Sequence, residues 1–170
     1  MADLELRGER LTLRRVVEPD VPAIASILAE PAVGRWWGSY DEGRVRREML
    51  QDPGVEAFVI EIGAEVAGVL YVSEERDPDY RHAGLDIGLA TAYQGRGYGR
   101  EALRLAIDHL VAEHGHHRFT IDPEAGNEVA IRCYEAVGFK PVGLMRRYSR
   151  RADGTWVDGL LMELIVEQNL

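Results

Sequence analysis

The sequence contains little cysteine, a minority of basic residues and no long apolar run. Its single cysteine, Cys133, excludes a disulfide within the chain and favours a reducing, cytoplasmic location. Its 20 lysine and arginine residues stand against 29 aspartate and glutamate residues. The resulting formal net charge of −9 disfavours nucleic acid as a partner and favours a cationic one. Because no apolar run approaches the length of a membrane span and the Met1 end lacks a signal-peptide pattern, we expect no membrane partner.

The remaining composition is ordinary for a folded domain. Hydrophobic residues make up 46% and charged residues 29% of the 170 residues, which is enough for one sizeable core. We therefore predict a single domain over residues 1–170, and we expect a monomer or a homodimer.

A glycine-rich segment connects a short apolar run, residues 85–90, to a long amphipathic helical pattern that begins near residue 100. Alternating glycines let backbone N–H groups turn toward one point, and the start of a helix adds partial positive charge there, which suits phosphate. The spacing excludes the P-loop, because no G-K-[ST] follows the glycines. It also excludes the dinucleotide-binding motif G-x-G-x-x-G, because the third glycine does not stand at the position that this motif requires. A purely steric role for the glycines is the alternative. The residues of the predicted phosphate site are Gln94, Gly95, Arg96, Gly97, Tyr98, Gly99 and Arg100.

The pattern N-x-x-A-x-x-x-Y-x-x-x-G-F predicts a second helix, which begins at Asn127 and ends at Gly138. Asn127, Ala130 and Tyr134 fall at i, i+3 and i+7 and therefore share one face, whereas Cys133 is expected to point elsewhere. An amide, a small residue and a phenol in a row suit an extended ligand that lies along the helix. The alternative is a core tyrosine with a satisfied hydroxyl.

Together the two motifs, Q-x-x-G-x-G and N-x-x-A-x-x-x-Y-x-x-x-G-F, resemble those of the acetyl-coenzyme-A-dependent N-acetyltransferases of the GCN5-related (GNAT) superfamily. The resemblance implies acetyl-coenzyme A as the acetyl-donating cosubstrate and an α/β (α+β) fold. In that fold a central mixed β-sheet is flanked by helices on both faces, and two neighbouring strands splay apart to admit coenzyme A. Local patterns alone give the order β-α-α-β-β-β-α-β-α-β-β and a mixed sheet.

Two branches of the superfamily are similar to this sequence. R-L-T-L-R near the start and D-G-T-W-V-D-G-L-L-M near the end resemble the acetyltransferases of ribosomal-protein N-termini. W-W-G at 36–38, the acidic segment 74–79 and G-L-D at 84–86 are similar to aminoglycoside 6′-N-acetyltransferases. We therefore expect an enzyme that acetylates a primary amine of a small polycationic acceptor, an aminoglycoside above all. The alternatives are a protein N-terminal or lysine acetyltransferase and a coenzyme-A-binding sensor without turnover.

The resemblance also implies which residues meet each substrate. In aminoglycoside 6′-N-acetyltransferases the matching tryptophan and aspartates face the antibiotic, so the expected acceptor residues are Trp36, Trp37, Glu74, Asp86 and Asp122. The expected coenzyme A residues, in addition to the glycine-rich segment, are Ile87, Gly88, Leu89, Ala90, Asn127, Ala130 and Tyr134.

Acyl transfer from a thioester to an amine needs no protein nucleophile, because the amine attacks the carbonyl carbon directly. Asp86 is either the base that takes the amine proton, if burial raises its pKa, or an anchor that positions the amine. Backbone N–H groups at Gly88–Ala90 are expected to polarise the carbonyl. Tyr134 is placed to donate a proton to the departing thiolate.

Two segments before the glycines admit more than one interpretation. Pro31 is expected to end the first helix, and residues 32–40 show no clear period, so their two tryptophans are either a core plug or a wall for a ligand. Residues 73–81 are predicted to form an acidic loop. The loop either faces the acceptor in a common pocket with the tryptophans or is merely solvated.

His114, His116 and His117 raise the question of a metal site. Gly115 breaks the helix at this point, so no pair of histidines four residues apart is fixed. No cysteine and no second group of histidines supports a site. We therefore expect no metal.

Overall fold

The computed structural model describes residues 3–167, and the two ends of the predicted 1–170 domain lie outside the described residues. The helices are α1 (Val21–Leu28), α2 (Pro31–Trp37), α3 (Glu42–Val45), which continues as a π-helical segment (Arg46–Leu50), α4 (Tyr98–His114) and α5 (Glu128–Val137). The strands are β1 (Glu5–Arg7), β2 (Thr12–Arg15), β3 (Val55–Ile62), β4 (Glu65–Glu75), β5 (His82–Leu89), β6 (Arg118–Ile121), β7 (Lys140–Arg150) and β8 (Trp156–Ile165).

The observed order adds two elements to the predicted one. β1 precedes the first predicted strand, and Pro31 begins α2, where the sequence led us to expect only the end of a helix. A proline loses nothing in the first turn of a helix, because the N–H that it lacks would have no partner there. α2 then ends at Gly38, whose φ of 79° lies in the left-handed region. The two tryptophans therefore stand on the last turn of a regular helix.

The eight strands form one mixed sheet in the order β1-β2-β3-β4-β5-β6-β8-β7. Among these neighbours, β5 and β6 pair in parallel, and the other pairs are antiparallel. The parallel pair requires a crossover connection, which α4 provides. This arrangement puts the start of α4 directly after the end of β5.

Helices cover both faces of the sheet, as the resemblance implies. On one face, the apolar stripe of α4 packs with residues of α5 and of the central strands. On the other face, α1, Val33 of α2 and Met49 pack against Ala57, Val59 and Val69. Among the described residues, no helix is both long enough and apolar enough to cross a membrane.

β5 and β6 stay together over only a short distance. Their register has two pairs, Ala83 with Phe119 and Gly84 with Thr120, whereas β5 continues to Leu89. The rest of β5 remains paired with β4 on its other side. The predicted splay is therefore present, and it opens a wedge between the end of β5 and the chain that follows β6.

Candidate active site

A cleft of about 810 Å³ occupies this wedge and is bounded by α2, β5, the glycine-rich segment and α5. Three of the expected residues do not line it: Ala90 is buried, the guanidinium of Arg96 lies 5.3 Å from the ring centroid of Tyr98, and Glu74 lines a separate cavity described below. The expected residues that line the cleft are Trp36, Trp37, Asp86, Ile87, Gly88, Leu89, Gln94, Gly95, Gly97, Tyr98, Gly99, Arg100, Asp122, Asn127, Ala130 and Tyr134.

The glycine-rich segment has the backbone that the sequence pattern predicts. Gly95 and Gly97 have φ values of 72° and 84°, in the left-handed region that favours glycine. Gly97 is the N-cap of α4, so the free N–H groups of the first helical turn lie next to it. Such a helix start can hold a pyrophosphate.

Arg10 holds this segment in place, and sequence reasoning missed it. Its Nη1 donates to the Arg96 carbonyl at 2.8 Å, and its Nε donates to Glu101 Oε2, also at 2.8 Å. The Arg10 guanidinium lies 4.5 Å from the centroid of the Tyr98 ring. No local signal marks this contact, because about 90 residues separate the partners in the chain.

The backbone of β5 offers fewer free N–H groups than expected. Ala90 N–H donates to the Ala67 carbonyl at 2.8 Å, so it is not available to polarise a thioester. Antiparallel pairing with β4 alternates, and in this register it turns Gly88 toward β4 and Ile87 and Leu89 toward the wedge. The expectation for Gly88–Ala90 is therefore corrected to Leu89 alone, whose carbonyl already accepts from Gln94 Nε2 at 2.9 Å.

The indole of Trp37 closes one side of the cleft. Its Nε1 donates to the Ile87 carbonyl at 3.3 Å, and its ring packs edge-to-face with Tyr40, with centroids 5.6 Å apart. A Cβ at Gly88 would lie 3.0 Å from Trp37 Nε1, so the glycine admits the indole. Both tryptophans line the cleft and are partly exposed, as a ligand wall requires, and Trp37 also packs against the core on this face of the sheet, so both alternatives stay open.

A second, smaller cavity of about 390 Å³ adjoins the cleft on the acidic side. Asp86 and Asp122 line both cavities, whereas the tryptophans line only the cleft. We expected the tryptophans and the acidic residues to line one common pocket. They line two neighbouring cavities instead, and Asp86 and Asp122 lie where these cavities meet. The residues of the acidic cavity are Tyr71, Ser73, Glu74, Glu75, His82, Gly84, Leu85, Asp86, Thr120 and Asp122.

The predicted acidic loop is partly a strand. Glu74 and Glu75 belong to β4, and Asp77 lies in the following loop and lines neither cavity. Glu74 lines the acidic cavity, but its carboxylate is already occupied by other side chains. Its carboxylate accepts from His114 and His116, and its side chain is 5% exposed.

Asp86 is the titratable group best suited to proton transfer. Its side chain is exposed at the point where the two cavities meet, but the concave walls surround it with protein. The loss of bulk water around the carboxylate, together with the negative charge of Asp122, raises the pKa of Asp86 to about 7. An aspartate with this pKa is a competent base near neutral pH, which an ordinary aspartate is not.

Tyr134 lies deep in the cleft wall, 6% exposed, with its ring 6.3 Å from that of Phe139. Burial, reinforced by the charge of Asp86, raises the pKa of Tyr134, so its hydroxyl stays protonated. Among residues 3–167, no hydrogen-bond partner of this hydroxyl is found. The hydroxyl is therefore available to a ligand.

Cys133 lines the cleft, and the expectation that it points elsewhere is wrong. Gly99 of α4 lies opposite, and a Cβ built there would be 3.6 Å from the Cys133 sulfur. Because Gly99 places no side chain between α4 and α5, the cleft extends to Cys133, the residue beside Tyr134 on α5. Burial raises the pKa of the Cys133 thiol, which makes the thiol a poor nucleophile.

Two tyrosines beside the aspartates were not identified from the sequence. Tyr71 on β4 is the register partner of Asp86, and Tyr148 on β7 donates a hydrogen bond to Asp122. Hydrogen bonding to Asp122 and partial burial raise the pKa of Tyr148 to about 12. Tyr148 is therefore a neutral donor that orients the Asp122 carboxylate.

Comparison with known proteins identifies acetyltransferases among the relatives of this chain. The chain is similar to the N-alpha-acetyltransferase RimI of Mycobacterium tuberculosis, at 40% identity over 143 residues that span 84% of this chain and 86% of the relative. It is also similar to the aminoglycoside N(6′)-acetyltransferase type 1 of Klebsiella pneumoniae, at 28% identity over 156 residues, 80% of this chain and 77% of the relative.

A similar fold occurs in RimL, a ribosomal L7/L12 alpha-N-protein acetyltransferase solved in complex with coenzyme A. The TM-score is 0.83 at 19% identity, with 96% of this chain and 98% of that chain covered. Residues 10–140 match the family model described as an acetyltransferase (GNAT) domain. The chain therefore belongs to the GNAT family, whose members are acetyltransferases that use acetyl-coenzyme A.

Proposed function

We propose that this enzyme acetylates a primary amine of a small polycationic acceptor, with an aminoglycoside as the acceptor class. The observation that carries the proposal is the position of Asp86 and Asp122, which line both the coenzyme A cleft and the acidic cavity. An acceptor ammonium drawn to these carboxylates would lie where the acetyl group arrives. The chain's net charge of −9 and its relative at 28% identity, an aminoglycoside N(6′)-acetyltransferase, support the same class.

The proposed reaction forms a C–N bond and breaks the thioester C–S bond. Asp86 takes the proton from the acceptor ammonium, because its raised pKa is closer to that of an amine than an ordinary carboxyl would be. The freed amine attacks the carbonyl carbon, and Leu89 N–H is the wedge-facing donor that could polarise the carbonyl. Tyr134 donates a proton to the departing thiolate, and the second proton of the attacking amine, released as the amide forms, restores the phenol.

Coenzyme A fits the residues present. The left-handed glycines beside the start of α4 leave room for a pyrophosphate, and Arg100 adds charge to that side of the cleft. On α5, the side-chain oxygen of Asn127 accepts from Ala130 N–H at 3.3 Å, which leaves its amide NH₂ free to donate to a ligand. We propose that the chain works as a single domain in the cytoplasm, where its one cysteine would stay reduced.

Tyr134→Phe is expected to lower kcat on the order of 10²-fold and to leave coenzyme A affinity nearly unchanged. The substitution removes the hydroxyl but keeps the ring that packs on Phe139. Release of free thiol from acetyl-coenzyme A gives kcat, and calorimetric titration gives the affinity. A kcat within twofold of the parent value would reduce Tyr134 to a packing residue.

Asp122→Asn tests the acceptor class. The amide keeps the shape of the side chain and deletes one negative charge at the meeting point of the two cavities. For kanamycin we expect kcat/KM to fall by an amount equivalent to about 1.5–3 kcal/mol, and the loss should shrink as salt rises. For a short peptide with one amine the loss should be small, because fewer charges need a partner.

Asp77→Asn is the matched control for this experiment. It deletes the same charge from an exposed loop that lines neither cavity, and the remaining side-chain oxygen can still accept from Asp79 N–H. It should leave kcat/KM unchanged for both acceptors. If parent and Asp122→Asn acetylate kanamycin equally, or if neither does so while both acetylate the peptide, the aminoglycoside proposal fails.

Acetylation of a protein N-terminus or lysine is the second candidate. The 40% identity with RimI, an N-alpha-acetyltransferase, favours it. A screen of amine acceptors by thiol release ranks the two candidates directly. A chain that binds acetyl-coenzyme A tightly and releases no thiol with any amine would instead be a coenzyme-A-binding sensor.

A further inference from the structure

Three side chains from two distant parts of the chain, Glu74 on one side and His114 and His116 on the other, converge at the C-terminal end of α4. The Nδ1 of His114 lies 2.9 Å, and the Nε2 of His116 lies 2.7 Å, from the same oxygen, Oε2 of Glu74. These three atoms lie within 4.8 Å of one another. Arg76 occupies the other carboxylate oxygen, Oε1, at 3.3 Å. One carboxylate oxygen and two imidazole nitrogens therefore face a common point.

Gly115 produces this convergence. Its φ of 69° lies in the left-handed region and turns the chain between the two histidines, so that both rings reach Glu74. The same glycine was the reason to expect no metal from the sequence. The third member, Glu74, comes from β4, 40 residues before His114. No local sequence pattern therefore predicts that it joins the two histidines.

The chemistry of these groups suits a cation. Glu74 offers a carboxylate oxygen from a side chain that is 5% exposed, and His114 and His116 each offer one imidazole nitrogen. His116 is buried, 1% exposed, and it faces Glu74 with Nε2, whereas its Nδ1, on the other side of the ring, has no hydrogen-bond partner among the described residues.

We propose that Glu74, His114 and His116 form a binding site for a divalent transition-metal ion of the Zn²⁺ class. Two imidazoles and one carboxylate are a common zinc donor set, whereas Ca²⁺ and Mg²⁺ prefer oxygen ligands alone. Ligand atoms around a tetrahedral zinc are about 3.3 Å apart, so each imidazole nitrogen must move about half an ångström away from the Glu74 oxygen. The ion would reach the site past His114, whose side chain is 27% exposed, or through the acidic cavity, which Glu74 lines.

This ion would act as a structural link. It would tie β4 to the end of α4 and to the segment that leads into β6, the elements that carry the acceptor side of the site. α4 has 17 residues, so the metal would lie about 25 Å from the glycine-rich segment at the other end of the helix. The proposal therefore concerns binding and stability and does not depend on the acceptor.

The test titrates the full chain, after dialysis against a chelator, with ZnCl₂ in a calorimeter. We expect one zinc ion per chain. His114→Ala removes one of three ligands and should weaken binding by about 100-fold or more, since loss of even an outer-shell partner costs about 10- to 100-fold. His117→Ala is the matched control, because this histidine is exposed and its side chain is not part of the cluster. It should leave the affinity unchanged.

A spectroscopic readout does not depend on activity. Cobalt(II) in the parent and in His117→Ala should give the visible absorption bands of a four-coordinate ion, and these bands should be absent in His114→Ala. Glu74→Gln, which keeps the volume of the side chain, should abolish them as well. Absence of zinc binding by the parent, or equal binding by the parent and both histidine variants, would overturn the proposal. The three residues would then be a hydrogen-bonded cluster only.

Discussion

Asp86→Asn is expected to lower kcat by about 10²- to 10⁴-fold, the range that general acid–base catalysis contributes. The amide has the shape of the carboxyl but cannot accept the proton of the acceptor ammonium. Thiol release at saturating acetyl-coenzyme A measures the loss, with whichever of kanamycin and the peptide the parent acetylates faster. If kcat survives and only KM rises, Asp86 is an anchor for the amine and not its base.

The pH profile makes this test sharper. Because the pKa of Asp86 is raised to about 7, the parent's kcat/KM should rise with pH through neutrality, as the carboxyl loses its proton. This rise of kcat/KM on the acidic side of the pH profile, the acid limb, should be absent in Asp86→Asn. Asp122→Asn should move the limb to lower pH, because the charge of Asp122 is one of the causes that raise the pKa of Asp86. An acid limb that is identical in all three proteins would belong to another group.

Thermal unfolding serves as the control, and its sign follows from the same pKa. The value of about 7 in the folded protein exceeds the ordinary value of 3.8. Between these two pH values the folded chain therefore binds a proton that the unfolded chain has released. The stability that Asp86 contributes is full below pH 3.8 and is lost as the pH rises through 7. At pH 8, Asp86→Asn should melt at or above the temperature of the parent. A lower melting temperature would mean that the substitution damages the fold.

The cofactor side of the site could be predicted from the sequence because its signals are local. Gly97 needs a left-handed backbone, and the amphipathic pattern that follows fixes the start of α4 within a few residues. Asn127 likewise caps α5, and the helical period places Ala130 and Tyr134 on the face that lines the cleft. Each of these features is set by residues fewer than eight positions apart.

The remaining features depend on contacts between distant segments, which no local pattern records. The orientation of Glu74 follows from His114 and His116, and the position of Asp122 follows from Tyr148, 26 residues further along the chain. Cys133 was misplaced because the width of the cleft depends on the missing side chain of Gly99. Side-chain direction on a known strand or helix was therefore the least predictable property.

Gly97→Asp is expected to weaken acetyl-coenzyme A binding by several kcal/mol, roughly 10²- to 10³-fold in the dissociation constant. The new carboxylate would stand beside the start of α4, where the N–H groups would otherwise hold the pyrophosphate. A Cβ at this position lies 3.2 Å from Arg10 Nη2 and 3.7 Å from Arg100 Nη2. The carboxylate would therefore also pair with cations that a phosphate needs. Calorimetric titration with acetyl-coenzyme A gives the dissociation constants.

Gly97→Asn separates charge from shape. Asparagine has the volume of aspartate and, like it, tolerates the left-handed backbone at φ 84° better than most residues, but it carries no charge. If the loop binds phosphate, Gly97→Asn should lose far less affinity than Gly97→Asp, and the difference should shrink at high salt. Equal losses in the two variants would mean that the loop excludes side chains for steric reasons alone. An unchanged dissociation constant in Gly97→Asp would remove the glycine-rich segment from the cofactor site.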